Sequence, residues 1–484
     1  MTFSTQASSI RPYVLVICCI LVALSVAILP FCFSYISIKL PVNLLFIALG
    51  LFVIVYARSI NMQEFKAIWL VLVCLILVIG IAYLSLYFAY NIGATKQAIR
   101  QYLLEPSLFL LMSYLIVRRL NDKELMLFFV LLCVALCYHP LVTLYDFFSS
   151  KAFAKSGFNT IGYYRAMLPH YHTPATVYAF YLLVTLGMSL SLAIFMRGVW
   201  RLAAVGFVLL CFGAIIANGG RFALLSALVI LLSPLLLYSY THKRAIVLGV
   251  FVALCVGFGA LYAVSEKWGA RYNFHSMINN FYSIWNTPPA EMGKYNKGCK
   301  ATNCSPHSLD KPSDISMEYS SLSRISMLKS SILAILENPL RPNGFHFQQF
   351  PYNIQNIFPL DSINHPFPIA SKGGERIFPH AHNHNHIVSF WFELGAIGFV
   401  CVALVVWVLL RNLYTLHIPL THPHQARISP LRACMLSGIG FSIVGLVVAN
   451  IFDCIPVRDG HLILFLLFGT MLALQHPANI QFKG

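Results

Sequence analysis

Long apolar stretches separated by short polar connections occupy most of the chain. A helix needs about 20 apolar residues to cross a membrane, and runs of roughly that length occur at about twelve places. They lie at about 13–30, 40–56, 67–88, 102–117, 125–143, 174–195, 202–217, 221–240, 245–264, 387–410, 432–451 and 461–475. The pattern predicts an all-α integral membrane protein with about twelve transmembrane helices.

Composition supports this class of protein. The chain is 58% hydrophobic and 10% charged, whereas charged residues make up about 25% of a soluble domain. The net charge of +17 lies mostly in short connections, and no soluble basic domain with interleaved aromatic residues is present. Nucleic-acid binding is therefore excluded as a function class. The first apolar run lacks a strongly basic leader and a cleavage site, so we expect it to stay uncleaved.

The short connections also predict the orientation, because Lys and Arg concentrate on the cytoplasmic side. An inside N-terminus places most of these charges there, with Lys39, Lys96, Arg100 and Arg458 as exceptions. The inside set is Arg58, Lys66, Arg118, Arg119, Lys123, Arg197, Arg201, Lys243, Arg244, Arg411, Arg427 and Arg432. Segments 144–173 and 265–386 then lie outside. The chain divides into helices at 1–264, a large outer loop at 265–386 and helices at 387–484.

The large outer loop contains two further features. Leu322, Ile325, Leu328, Ile332 and Ile335 recur at steps of three and four, which predicts an amphipathic helix that ends at the Asn-Pro pair 338–339 and lies along the membrane face. Cys299 and Cys304 could close a small disulfide ring in an external compartment, or remain two free thiols. The other cysteines mostly fall in apolar runs, where buried thiols are expected.

The loop ends in the sequence HAHNHNH, directly before the tenth apolar run. Three interpretations stay open: a metal site, a solvated histidine-rich loop, or one working histidine. Alternating histidines without a carboxylate or cysteine partner differ from the usual helical zinc pair. If the helix begins near His384, then Trp391, Gly395 and Gly398 share its face, and the glycines would let another helix pack closely there.

His384-Asn385, nine residues, Gly395, two residues and Gly398 form a pattern that resembles the signature of bacterial O-antigen ligases and their relatives, the O-antigen polymerases and protein O-oligosaccharyltransferases. The resemblance extends to the span count and the large loop. It implies a glycosyltransferase of the GT-C type, without metal or cofactor, in the bacterial inner membrane with its active site at the periplasmic face. Its donor would be a glycan on undecaprenyl diphosphate and its acceptor lipid A-core.

A diphosphate leaving group requires fixed positive charge, preferably arginine, whose planar fork pairs with phosphate oxygens. Arg221 follows a Gly-Gly turn and Arg324 precedes an Asn-Pro-Leu turn, and both resemble arginines of the family. Arg165, in the smaller outer loop, matches less closely. Each could instead be a snorkelling or surface arginine. Arg458 is a fourth candidate, although Asp453 and Asp459 could pair with it.

A mechanism follows from these candidates. Neutral His384 would accept the proton of the acceptor hydroxyl, while arginines stabilise the departing diphosphate, and direct displacement would invert the anomeric carbon. Glu393 would lie about 13 Å deeper, so we expect a structural hydrogen bond for it. A polymerase or protein-glycosylating enzyme could use the same parts. A transporter is less compatible with these candidates, because its ionisable residues would lie near mid-membrane, whereas the candidate residues here gather on one side.

Overall fold

The structure is a computed structural model in which helices dominate. It describes residues 2–31, 37–161, 164, 166, 175–242, 319–346, 350, 353, 370–372, 375–377, 385–414, 429–452 and 458–475, together with a few single positions between 252 and 286.

The first half of the chain folds into ten α-helices among the described residues. They are α1 (Thr2–Ile28), α2 (Lys39–Tyr56), α3 (Trp69–Leu84), α4 (Ile92–Ile99), α5 (Glu105–Val117), α6 (Asp122–Ser149), α7 (Lys151–Ser156), α8 (Ala175–Phe195), α9 (Gly198–Asn218) and α10 (Arg221–His242). A π-helical turn, Arg100–Leu104, joins α4 to α5 without a break. Short 3-10 helices occur at Leu29–Phe31, Ala57–Ser59, Met62–Ala67, Ser85–Phe88 and Gly157–Thr160.

The second half adds four helices and a small hairpin within the described residues. The helices are α11 (Tyr319–Glu337), α12 (His386–Tyr414), α13 (Pro430–Phe452) and α14 (Arg458–Gln475). Strands β1 (Ala370–Lys372) and β2 (Glu375–Ile377) pair antiparallel, with Ser371 opposite Arg376. Helix α11 confirms the amphipathic helix predicted in the large loop, and it ends directly before Asn338.

Eight of the predicted spans are helices long and apolar enough to cross a membrane, counted over the described part of the chain. They are Arg11–Phe31, Lys39–Ser59, Trp69–Phe88, Asp122–Ser149, Tyr178–Phe195, Gly198–Asn218, His386–Arg411 and Pro430–Ile451. The predictions at 221–240 and 461–475 correspond to shorter apolar helices, Arg221–Leu235 and Gly460–Gln475. The chain is therefore a multi-pass membrane protein of the all-α class.

Two further predicted spans are not among these eight helices, and one of the eight has a different end from the one predicted. The run 102–117 begins in the π-helical turn and continues as α5, and it is not among the eight. Helix α6 extends six residues beyond its predicted end because Phe147 is buried against Ala166 and Ala217, so the outer segment begins after Ser149. The predicted span 245–264 lies almost entirely outside the described residues.

Helix α13 is central to the bundle and runs from one end to the other. Its 23 residues extend for about 34 Å, enough to cross the hydrocarbon core. It packs against α8, where Gly438 leaves room for Ser191 and where Ser442 Oγ donates a hydrogen bond to Val184 O at 3.0 Å. Small residues at this crossing permit the close approach that stabilises helix pairs in lipid.

One end of the bundle is held by charged residues from the predicted cytoplasmic connections. Arg119 pairs with Glu64 at 2.9 Å, and Tyr114 Oη donates to Glu64 O at 2.7 Å. Arg432, near the start of α13, pairs with Asp122 at 3.3 Å and donates to Leu120 O. These contacts place several of the predicted inside charges at one end, and the far end of α13 marks the other.

Candidate active site

Helix α12 begins with an asparagine cap. The side chain of Asn385 accepts a hydrogen bond from Val388 N at 2.9 Å, which satisfies one of the free donors of the first turn. The helix therefore starts at His386, one residue before the predicted span 387–410. The shared face of His384 with Val388, Trp391, Gly395 and Gly398 assumed a helix start near His384, and the observed start lies after the Asn385 cap. His384, His382 and His380 themselves lie outside the described residues.

The start of α12 is fastened to the end of α13. Asn385 Nδ2 donates to Ile451 O at 2.9 Å, and His386 Nδ1 lies 2.8 Å from Asn450 Oδ1. Because Asn450 Nδ2 already donates to Leu446 O, its Oδ1 is the acceptor and His386 carries its proton on Nδ1. We call these four residues, Asn385, His386, Asn450 and Ile451, the mouth. It lies at the opposite end of α13 from Arg432.

A column of aromatic rings leads inward from the mouth. The rings of His386 and His461 lie 5.4 Å apart, those of His461 and Tyr102 5.2 Å apart, and those of Tyr102 and His346 5.0 Å apart. His386 also stacks on Phe390 at 4.4 Å. Burial lowers the pKa of His346 to about 4, so its ring is neutral at neutral pH. No local sequence pattern predicts this column, because its members are scattered over 360 residues.

Arg221 is the first residue of α10 and is half-buried. Gly219, in the left-handed region at φ 69°, ends α9 and turns the chain into the new helix. The positive end of the α10 dipole therefore adds to the arginine charge. Helix α10 packs against α13, where a side chain at Gly445 would meet Ile230. The N-terminus of α10 thus lies at the mouth end of the bundle.

Of the other three candidate arginines, two lie in described helices and one lies outside the described residues. Arg324 is half-buried in α11, which packs against α12. Arg458 is the first residue of α14. Arg165 lies outside the described residues, but its neighbour Ala166 is fixed: Ala166 N donates to Ala217 O at 3.1 Å, and Asn218 Nδ2 donates to Ala166 O at 3.0 Å. The smaller outer loop is therefore anchored beside the turn that precedes Arg221.

The two glycines of the motif have different surroundings from those predicted. Gly395 has φ 68° and interrupts α12, and a side chain there would collide with the carbonyl oxygen of Leu340. A loop, rather than a helix, approaches it. A Cβ on Gly398 would lie 3.4 Å from the Ile81 side chain of α3, so helix packing is observed at the second glycine. Glu393 accepts a structural hydrogen bond, as predicted, from His346 N at 2.8 Å.

The predicted disulfide and the metal interpretation of the histidine-rich stretch concern residues that lie largely outside the described part of the chain. Cys299 and Cys304 are not among the described residues, whose eight cysteines are free thiols. Among the described residues, no group of three His, Cys, Asp or Glu side chains could hold a metal ion. The metal alternative for HAHNHNH thus remains a matter for chelation experiments.

Comparison with known families decides the relationship of this chain. Residues 205–403 match a family model described as O-antigen ligase. Over this region the chain is similar to the O-antigen ligase superfamily. The matched region covers about two-fifths of the chain and contains the motif from His384 to Gly398, together with Arg221 and Arg324. Arg165 and Arg458 lie outside it. No curated protein matches the chain. The predicted relationship to O-antigen ligases is confirmed at the level of the superfamily.

Proposed function

We propose that this chain is an O-antigen ligase of the GT-C type with about twelve spans. It would transfer O-antigen polysaccharide from undecaprenyl diphosphate to lipid A-core at the periplasmic face of the inner membrane. The observation that carries the proposal is the mouth, which follows residue 384 directly within the matched family region. There Asn385 and His386 are hydrogen-bonded to the end of α13, a membrane-spanning helix.

The proposed orientation is supported by the two ends of α13. Arg432 and its partners lie with the Arg119–Glu64 pair at the end rich in predicted inside charges, and Asn450 lies at the other. Cytoplasmic enrichment of Lys and Arg then puts the mouth outside. The proposed division into helices at 1–264, a loop at 265–386 and helices at 387–484 follows from the same orientation. A lipid-linked donor needs the site on only that face, which favours a transferase over a transporter.

In the proposed reaction, His384 accepts the proton of an acceptor hydroxyl as its oxygen forms a bond to the anomeric carbon of the donor glycan. The bond from that carbon to the diphosphate breaks, and undecaprenyl diphosphate leaves with the electron pair. Attack opposite the leaving group inverts the carbon. Arg221, Arg324 and Arg165 would stabilise the charge on the diphosphate, assisted at Arg221 by the helix dipole. Neither a metal nor a cofactor takes part.

Deleting the chromosomal copy and examining the lipopolysaccharide tests the proposal. For a ligase, long chains should be lost completely while undecaprenyl-linked polymer accumulates. A core carrying a single repeat would identify a polymerase instead, and normal lipopolysaccharide with an unmodified glycoprotein would identify a protein O-oligosaccharyltransferase. Chelation with EDTA should leave transfer by the purified protein intact. Loss that one divalent ion restores would support the four-histidine metal site.

A further inference from the structure

Helix α12 is interrupted by the segment that follows α11. In a continuous helix, Ala396 N would donate to Phe392 O, four residues earlier. Here Ala396 N donates to Pro339 O at 2.9 Å, and Phe392 O accepts from both the backbone and the side chain of Asn343, at 3.2 Å and 3.1 Å. Residues 338–346, which we call the docking segment, thus replace one turn of helical hydrogen bonding.

The same segment makes a second set of contacts on its far side. Glu393 Oε2 accepts from His346 N at 2.8 Å, and Ser85 Oγ at the end of α3 accepts from Phe345 N at 2.9 Å. His346 has φ 121°, which is the only positive φ of a non-glycine residue in the described part of the chain. Such a conformation persists where surrounding contacts impose it. Arg341, over the Phe88 ring at 4.4 Å, adds a contact to the α3 side.

The docking segment fixes the position of α11 along the axis of α12. Pro339 O accepts from both Ala396 N and Trp391 Nε1, so the C-terminal end of α11 is fixed beside the break. From there its buried residues Met327, Ala334 and Ile335 pack with Val388 and Phe392 in the first turns of α12. Arg324 lies thirteen residues before Glu337, about 20 Å along the helix, and the break lies about 15 Å from His386. Helix α11 therefore leads back toward the mouth.

We propose that Glu393 and Asn343 are positioning residues for glycan transfer: through the docking segment they hold the Arg324 helix at a fixed height relative to the start of α12. The proposal rests on the proposed function, because it presumes that Arg324 contacts the donor diphosphate. Neither residue touches substrate. Glu393 acts by accepting a hydrogen bond, so a neutral acceptor of the same shape should replace it.

A double-mutant cycle with purified, folded protein tests the proposal, using kcat for transfer and the Kd for undecaprenyl diphosphate. Glu393→Ala should lower kcat about tenfold or more, and Glu393→Gln should stay within about threefold of the wild type because its amide oxygen can accept the His346 N–H. In an Arg324→Ala background, Glu393→Ala should cost less than about twofold further, since the arginine it positions is already gone.

Two further variants test the docking segment independently of Glu393, in case Glu393→Ala fails to fold. Asn343→Ala removes one of the two donors to Phe392 O, and its effect should likewise disappear in the Arg324→Ala background. Gly395→Ala should displace the docking segment, because the new Cβ would meet Leu340 O. Gly80→Ala is the matched control, since a Cβ there meets nothing within 4 Å. Its kcat should equal that of the wild type.

The outcomes separate the two proposals. Suppose that the wild type is active, but that Glu393→Ala or Asn343→Ala lowers kcat by the same factor with and without Arg324→Ala. That result overturns the positioning role and leaves the proposed function standing. Glu393→Gln as inactive as Glu393→Ala also overturns it, because charge or proton transfer would then be required. A wild type that transfers no glycan contradicts the proposed function itself, and the positioning role falls with it.

Discussion

At His386, the hydrogen bond to Asn450 orients the ring and ties the start of α12 to the end of α13. The other histidine of the motif, His384, precedes the cap of α12 in the sequence and lies outside the described residues. Two histidines of one short motif thus differ in role: His386 holds α12 against α13, and His384 is proposed to act on the acceptor.

Replacing His384 by Ala should abolish transfer while the protein still inserts and folds, because no base remains at the proposed site. His380→Ala is the matched control and should be mild. His386→Ala should fall between them through loss of one hydrogen bond, worth about 1 kcal/mol. Transfer assays with equal amounts of purified variants measure this. An essential His382 beside a dispensable His384 would show that the base is misassigned.

The arginine proposals predict a difference between charge and shape. Arg221→Ala or Arg324→Ala should remove a charge-assisted contact of about 1.5 to 3 kcal/mol, which corresponds to about a ten- to hundredfold loss of transfer. Lysine at either position should recover only part of the lost transfer activity, because a point charge cannot reproduce the bidentate fork of arginine. Binding of undecaprenyl diphosphate should weaken in parallel for any acceptor. Normal donor binding with lost transfer would move both residues away from the leaving group.

The buried ring of His346 predicts a pH dependence of stability. Burial lowers its pKa from 6.5 to about 4, so the unfolded chain binds a proton in this interval and the folded chain does not. Stability should be complete above about pH 6.5 and fall by up to about 3 kcal/mol as the pH drops toward 4. Thermal unfolding in detergent measures this. His346→Asn, which tolerates the positive φ, should show a flatter profile; an unchanged profile would contradict the assignment.

At the scale of elements, Asn385 performs two tasks with one amide: its oxygen caps α12 and its nitrogen holds α13. The tasks can be separated by substitution. Asp can accept the Val388 N–H but cannot donate to Ile451 O, whereas Ala can do neither.

Asn385→Ala should lower the free energy of unfolding by about 1 kcal/mol through loss of the cap. Asn385→Asp should recover most of that stability but little of the transfer activity, if the bond to α13 positions the adjoining His384. Thermal unfolding and kcat of the same preparations give both values. Full activity in Asn385→Asp would mean that the cap alone is sufficient.

At the scale of the molecule, α13 connects two chemically different ends. Met62 lies in the connection that contains Glu64, on the Arg432 side, and Phe158 lies beyond the other end of α6. Their side chains are 79% and 66% exposed, so both are suitable for labelling.

In a background with Cys299 and Cys304 changed to Ser, Phe158→Cys should react with an impermeant maleimide in intact spheroplasts. Met62→Cys should react only after permeabilisation, because positive charge keeps its connection inside. Mass spectrometry of the labelled peptide gives the readout. Labelling in the reverse order would invert the topology and place the mouth in the cytoplasm.

Sequence alone predicted the eight membrane-spanning helices of the described residues, because a run of apolar residues in lipid must satisfy its backbone hydrogen bonds as a helix. It also predicted α11, whose three- and four-residue spacing is local. Helix ends were less predictable. The extension of α6 to Ser149 depends on burial of Phe147 by Ala166 and Ala217, which are distant in sequence.

For the site, the sequence supplied the motif, the superfamily and the candidate residues, because these depend on residue type and spacing along one stretch. Tertiary structure decided what surrounds the motif. The bonds from Asn385 and His386 to α13, the ring column to His346 and the docking of residues 338–346 at Gly395 each join segments far apart in the chain. Such contacts follow from how helices pack and where backbone donors find acceptors, and no local pattern encodes them.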